Sequence, residues 1–239
     1  MVPSTILITL YALIPMFMAI LGSVIASFYI PKGKVVSSLQ HFVAGIVIGA
    51  VAIELIPKIL GHDSPWTIGF GFVIGVVVML LVHELAHFLA KRGGERGMPY
   101  GLLIGGGIDL LLDGILIGIS FLAGKESGIV IALSLSLCAF FVSATASTTL
   151  GKRQFSKATQ ILTGVFLGVL LPLGAFLGSA ILTQFPNSIL IETLAFGVAA
   201  LLFLGIEELL AESHEEHHDT LWVSAAFFLG FLVILLFRL

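Results

Sequence analysis

Eight stretches of apolar residues, each long enough to cross a lipid bilayer as a helix, follow one another through this chain with short polar breaks. A helix needs about 20 such residues to cross the hydrocarbon core. Since 58% of the 239 residues are hydrophobic and 10% are charged, the chain lacks the polar surface of a soluble globule. We therefore predict an all-α, polytopic integral membrane protein with a single transmembrane domain over residues 1–239. The predicted spans are residues 5–30, 36–60, 66–91, 99–123, 127–150, 158–182, 188–212 and 220–238.

Basic residues are distributed unevenly between the two sides that eight spans create. Alternate loops hold Lys32, Lys34, Lys91, Arg92, Arg96, Lys152, Arg153 and Lys157, and the opposite side holds Lys58, Lys125 and Arg238. By the positive-inside rule the first set is cytoplasmic, so both termini are expected outside the cell membrane. The first span has no basic residue before Lys32 and is longer than the apolar core of a signal peptide. We expect it to be a transmembrane helix.

The composition also indicates which partners this protein can bind. No basic and aromatic residues are arranged for nucleic acid, so nucleic-acid binding is excluded and membrane lipid is the expected surrounding. No G-x-x-x-x-G-K-S/T string occurs, so nothing indicates nucleotide hydrolysis. We do not expect an enzyme. The sequence leaves a homodimer open.

Two carboxylates stand inside the fourth predicted span, in the string Asp109-Leu110-Leu111-Leu112-Asp113. A separation of four residues is just over one helical turn, so both side chains leave one face of the helix. A carboxylate at bilayer depth costs roughly 2.5 to 3.5 kcal/mol and is normally retained where it faces a partner, a cation or water. The pair predicts a site for a divalent cation. A carboxyl that is protonated, or bonded to a neighbouring serine or threonine, is the plainer alternative.

Further candidate ligands lie in three other spans. They are Cys138 in the fifth span, Glu54 in the second, and Glu207, Glu208, Glu212 and His214 where the seventh span ends. The strings 52–57 and 206–211 are similar, and their spans run in opposite directions. Inverted repeats of this kind are common in secondary transporters, although chance similarity of short apolar strings would also explain the likeness.

A zinc-protease pattern ends the third span. His83-Glu84-Leu85-Ala86-His87 matches H-E-x-x-H, in which two histidines one turn apart bind zinc and the glutamate acts as general base. With Leu112-Asp113-Gly114 downstream it is similar to intramembrane metalloproteases of the site-2 type. The plainer explanation is a polar helix end that fits the pattern by chance, and a metal relay site is a further alternative.

The string Asp113-Gly114-Ile115-Leu116-Ile117-Gly118-Ile119-Ser120-Phe121 resembles the fourth span of the ZIP (Zrt- and Irt-like) metal transporters. Residues 41–57 of the second span and 207–214 of the seventh resemble the same family, so the likeness covers nearly the whole chain. It implies a ZIP-like bundle of eight helices with outward termini. The family's metal-binding His-Asn-x-x-Asp/Glu falls on Asp109, Leu110 and Asp113. Its fifth-span acids fall near Cys138, where no acid is present.

The resemblance implies one central cation, held by Asp109 and Asp113 with Cys138 as a soft ligand and Glu54 or Glu208 as supplements. We expect a carrier that moves zinc or a similar divalent cation as its substrate, without a cofactor, by alternating access. One alternative is a non-transporting relative that binds or senses metal through His83, His87 and the acidic, His-rich inner loop 214–219. The other is an intramembrane zinc protease with Glu84 as its base.

Overall fold

The computed structural model describes residues 4–29, 33–60, 65–92, 98–182, 187–211 and 221–237. Within these residues the protein is 95% helical and contains no strand, so the predicted all-α class is confirmed. The elements in chain order are α1 (Thr5–Tyr11), α2 (Leu13–Phe28), α3 (Gly33–Ala50), the π-helical turn π1 (Val51–Leu55), α4 (Ile56–Leu60), α5 (Pro65–Arg92), α6 (Tyr100–Ala123), α7 (Lys125–Lys152), α8 (Lys157–Leu182), α9 (Asn187–Phe203), the π-helical turn π2 (Leu204–Leu210) and α10 (Leu221–Phe237).

These helices indicate a membrane-embedded, multi-pass protein. In the described part of the chain, seven helical segments are long and apolar enough to cross a bilayer, and α10 is a shorter apolar helix of 17 residues. The two tryptophans lie almost fully exposed at the starts of α5 and α10, where Trp66 is 87% and Trp222 is 85% exposed. Exposed tryptophan at helix ends is typical of the membrane–water boundary.

The first predicted span is interrupted after Tyr11, where α1 ends and α2 begins. Pro15 has no N–H to donate to the carbonyl of Tyr11, so the helical hydrogen-bond ladder loses a member at this point. Ala12 between the two helices still donates its N–H to Ile8. Residues 5–28 therefore remain continuous enough to cross a bilayer.

The described chain divides into two compact units. The first unit contains residues Met1–Ile30 and Val78–Gln184, and the second contains Pro31–Val77 and Phe185–Leu239. Helix α5 contributes residues 65–77 to the second unit and residues 78–92 to the first. The prediction of one transmembrane domain over the whole chain stays a prediction.

In the first unit, α6 packs closely against α8 along a line of glycines that we call the α6–α8 seam: Gly114, Gly118, Gly174 and Gly178. A Cβ atom on Gly118 would lie 2.6 Å from the carbonyl oxygen of Ala175, and one on Gly178 would lie 2.6 Å from that of Ile115. Small residues four positions apart let membrane helices approach this closely. The backbone of α6 is thereby fixed against α8.

Buried polar groups connect α2, α7 and α8 in the first unit. Ser147 donates its hydroxyl to the carbonyl oxygen of Ser23 at 2.9 Å, and Ser23 donates to that of Gln160 at 2.8 Å. The side-chain amide of Gln160 donates to the carbonyl oxygen of Phe155 at 3.0 Å. Satisfied hydrogen bonds between membrane helices stabilise their packing.

In the second unit, α3 packs against α10 and α9 packs against the first half of α5. Glycines permit both contacts: Gly45 and Gly230 face backbone atoms across the α3–α10 pair, and Gly71 faces the backbone of Glu192. The two π-helical turns lie in the spans formed by α3–π1–α4 and α9–π2. Turn π1 packs against α9, and turn π2 packs against α3.

Candidate functional site

Asp109 and Asp113 lie in the first unit, in the continuous helix α6. Asp109 is 6% exposed and Asp113 is 3% exposed, so both carboxylates are inside the protein. Because α6 is regular between them, the two side chains leave successive turns of one helix face. The structure therefore brings these two predicted ligands together.

Glycines just before the pair allow neighbouring helices to approach α6. A Cβ atom on Gly106 would lie 3.1 Å from the Val142 side chain of α7, and one on Gly107 would lie 3.4 Å from the Leu170 side chain of α8. Asp109 follows within a single turn. Close approach of α7 and α8 at this level explains why a carboxylate in this part of α6 is buried.

One carboxylate oxygen of Asp109 makes no hydrogen bond to the described residues. Among the described residues no hydrogen-bond partner reaches its Oδ2 atom, which is buried. A buried acceptor without a partner costs roughly 1 to 3 kcal/mol, and it calls for an explanation such as a bound ion. This oxygen is available to a ligand.

Two hydroxyl groups of α7 donate to their own helix and not to the carboxylate pair. Ser134 donates to the carbonyl oxygen of Val130 at 2.8 Å, and Ser136 donates to that of Ala132 at 2.6 Å. Their hydroxyl protons are thus directed to the backbone of their own helix. Such back-bonding is common for serine in membrane helices.

Cys138 lies at the level of the two carboxylates in the antiparallel pair formed by α6 and α7. The register is set near one end by Gly106 against Val142 and at the other by Phe121 against Gly128. This register pairs Cys138 with residues 110 and 111, which lie between Asp109 and Asp113. Cys138 is fully buried. A soft sulfur ligand is thereby placed at the depth of the carboxylates.

The other predicted acidic ligands belong to the second unit or lie outside the described residues. Glu54 is 2% exposed within π1, whereas Glu207 is exposed within π2. Glu208 also belongs to π2, but its side chain is outside the described part of the structure. Glu212 and His214 lie outside the described residues altogether.

The H-E-x-x-H residues stand on the unbroken helix α5. His83 is half-buried and Glu84 is exposed, while the side chain of His87 is not among those described. Within the described ranges, no group of three or more His, Cys, Asp or Glu side chains is placed to hold a metal ion. The zinc site predicted from this motif stays a prediction.

Two features of the structure were not predicted from the sequence. One is Ser143 of α7, whose buried hydroxyl has no hydrogen-bond partner among the described residues; its only sequence signal is its place in a hydroxyl-rich span. The other is the pair of π-helical turns. Their signal is the similarity of residues 52–57 to residues 206–211, since each turn overlaps one of these strings.

Neither a protein-family model nor a curated protein sequence was found to match this chain.

Proposed function

We propose that this protein is a ZIP-like carrier that moves a divalent metal cation, zinc or a similar ion, across the cell membrane by alternating access. The cation is the transported substrate rather than a resident cofactor. The observation that carries the proposal is the pair Asp109 and Asp113, both buried on one face of a helix long enough to cross the bilayer.

The charge of this pair favours a divalent cation. Two carboxylates on successive helical turns repel each other, and the repulsion is stronger in a medium of low dielectric constant than in water. A cation with two positive charges neutralises both, and carboxylate oxygens are ligands for hard divalent ions. The open Oδ2 position of Asp109 supports direct coordination. Cys138, at the same level, would add affinity for zinc over magnesium or calcium.

The arrangement of the helices supports transport rather than static binding. Alternating access in secondary transporters relies on helix bundles that move as bodies, and this chain divides into two compact units. Asp109 and Asp113 belong to one of these units, so a bound cation would travel with it. In the proposed orientation both termini are extracytoplasmic and the protein acts as a monomer or homodimer.

Metal uptake into proteoliposomes tests the proposal. Asp109→Asn and Asp113→Asn keep the side-chain shape but remove the charge, so each is expected to lower the initial rate of zinc or manganese uptake by at least about tenfold. Ser120→Ala is the matched control, because Ser120 is buried on the same helix and donates to the carbonyl oxygen of Leu116. It should transport at the parental rate.

The proposal fails if both asparagine variants transport metal as fast as the parent protein while eluting as folded, monodisperse protein. It also fails if the parent protein binds metal at equilibrium but moves none across the membrane. The second result would indicate a metal-binding relative that does not transport.

A further inference from the structure

Basic side chains cluster where α7 ends and α8 begins, and we call this cluster the α7–α8 basic end: Lys152, Arg153 and Lys157. Lys152 and Lys157 are exposed, and Arg153 is half-buried. Neither the first 53 residues nor residues 127–191 include Asp or Glu. Helix α2, the end of α7 and the whole of α8 therefore bring no carboxylate to this cluster, and its positive charge is not offset by the elements that form it.

Hydrogen bonds fix the backbone that carries the basic end. Phe155 donates its N–H to the carbonyl oxygen of Leu150 at 3.0 Å, and the side-chain amide of Gln160 donates to the carbonyl oxygen of Phe155 at 3.0 Å. Ser147 in turn donates its hydroxyl to the Oε1 atom of Gln160 at 3.3 Å. Because the connection is already ordered, a ligand that binds here does not have to order it, and this lowers the entropic cost of binding.

An exposed aromatic ring positions one of the lysines. The ammonium nitrogen of Lys157 lies 4.0 Å from the centre of the Phe28 ring, and Phe28, the last residue of α2, is 68% exposed. A cation over the face of an aromatic ring is attracted electrostatically. The ammonium group has three N–H donors, so it can also donate to an anion on its open side.

Apolar surface continues from the basic end toward the middle of the bilayer. Helices α2 and α8 run antiparallel, and Gly164 of α8 faces Ser23 of α2. This register places Ile25 and Leu162 at one depth, and both side chains are exposed. One turn deeper on α8, Phe166 is 64% exposed. The helices thus present basic groups at their ends and apolar groups in the adjoining turns.

We propose that the α7–α8 basic end and the apolar turns beside it form a binding surface for an anionic phospholipid. The lipid phosphate would lie at Lys152 and Lys157, and the acyl chains would lie along Ile25, Leu162 and Phe166. Charge complementarity selects this occupant, since a negative headgroup joined to hydrocarbon matches both parts of the surface. In the proposed orientation this end faces the cytoplasmic leaflet, where anionic lipids attract basic residues next to membrane helices. The inference does not depend on cation transport.

Thermal unfolding of the full chain in a nonionic detergent, with increasing dioleoylphosphatidylglycerol, tests this surface. A lipid that binds only the folded protein raises the unfolding temperature. The concentration that gives half of this rise should be at least about tenfold lower for phosphatidylglycerol than for phosphatidylcholine, because each lysine near an anionic headgroup contributes about fivefold. Raising the salt concentration from about 0.1 to about 1 M should shrink the difference, since it screens the charges.

Substitutions separate this surface from the net charge of the protein. Lys152→Gln and Lys157→Gln should each raise the half-saturating concentration of phosphatidylglycerol about fivefold, whereas Lys157→Arg keeps the charge and should bind as the parent does. The matched control is Lys125→Gln, since Lys125 is an exposed lysine at the other end of α7; its value should stay within about twofold of the parental one. Phe28→Leu removes the ring from Lys157 and should cause a rise of about threefold.

Three results would overturn the lipid surface. The first is an equal half-saturating concentration of the two lipids for the parent protein. The second is a loss from Lys125→Gln as large as that from Lys152→Gln, because the lipid would then respond to net charge alone. The third is stabilisation of the parent protein by inorganic phosphate as strong as that by phosphatidylglycerol at the same concentration, which would indicate a site for a free anion without acyl-chain contacts.

Discussion

The α6–α8 seam predicts that one methyl group will disturb both stability and transport. In Gly118→Ala the new Cβ atom would lie 2.6 Å from the carbonyl oxygen of Ala175, whereas ordinary contact begins at 3.4 Å, so the helices must separate by about 0.8 Å. Overpacking of this kind costs roughly 1 to 3 kcal/mol. Because α6 also carries Asp113, a shift of this size exceeds the tolerance of about 0.2 Å for metal–ligand distances.

Thermal unfolding in detergent and metal uptake measure the two effects. Gly118→Ala should unfold at a lower temperature than the parent protein and transport more slowly. The matched control is Gly69→Ala in α5, where a Cβ atom meets nothing within 4 Å. That variant should be neutral or slightly more stable, since alanine favours a helix over glycine by up to about 1 kcal/mol. Equal unfolding temperatures for the two variants would refute the argument from close packing.

Two further changes test the turns and the buried polar contacts of the first unit. Gln154 has a φ of 66° in the exposed turn after α7, a left-handed conformation that glycine adopts at lower cost. Gln154→Gly should therefore stabilise the protein by about 1 kcal/mol and raise its unfolding temperature. A lower unfolding temperature would contradict this. Ser147→Ala removes buried hydrogen bonds to Ser23 and Gln160, so it should destabilise the protein by about 1 kcal/mol. An unchanged unfolding temperature would mean that these bonds do not contribute to stability.

The sequence predicted the helical spans well because their limits depend on local composition. Apolar length and the Gly, Pro and Lys residues between spans place most observed ends within a few residues of the predictions. The break after Tyr11 could have been inferred from Pro15. The division into two units could not, because it depends on which helices pack together, and single-sequence patterns do not determine those contacts.

The sequence predicted which side chains of α6 share a face, but not what surrounds them. Spacing alone places Asp109 and Asp113 on one face of α6, because the helix fixes the positions of residues four apart. The burial of that face and the level of Cys138 depend on the register between α6 and α7. Contacts such as Gly106 with Val142 set this register, and no local pattern in the sequence reveals them. The open oxygen of Asp109 likewise follows from three-dimensional packing.

The positions of Trp66 and Trp222 make the fluorescence of this protein selective. They are its two tryptophans, and both indole rings are exposed at the start of a helix. Indole emission therefore reports the polarity of the bilayer surface and is insensitive to the interior around α6. Quenchers attached at graded depths along lipid chains would locate α5 and α10 in the bilayer without any introduced label.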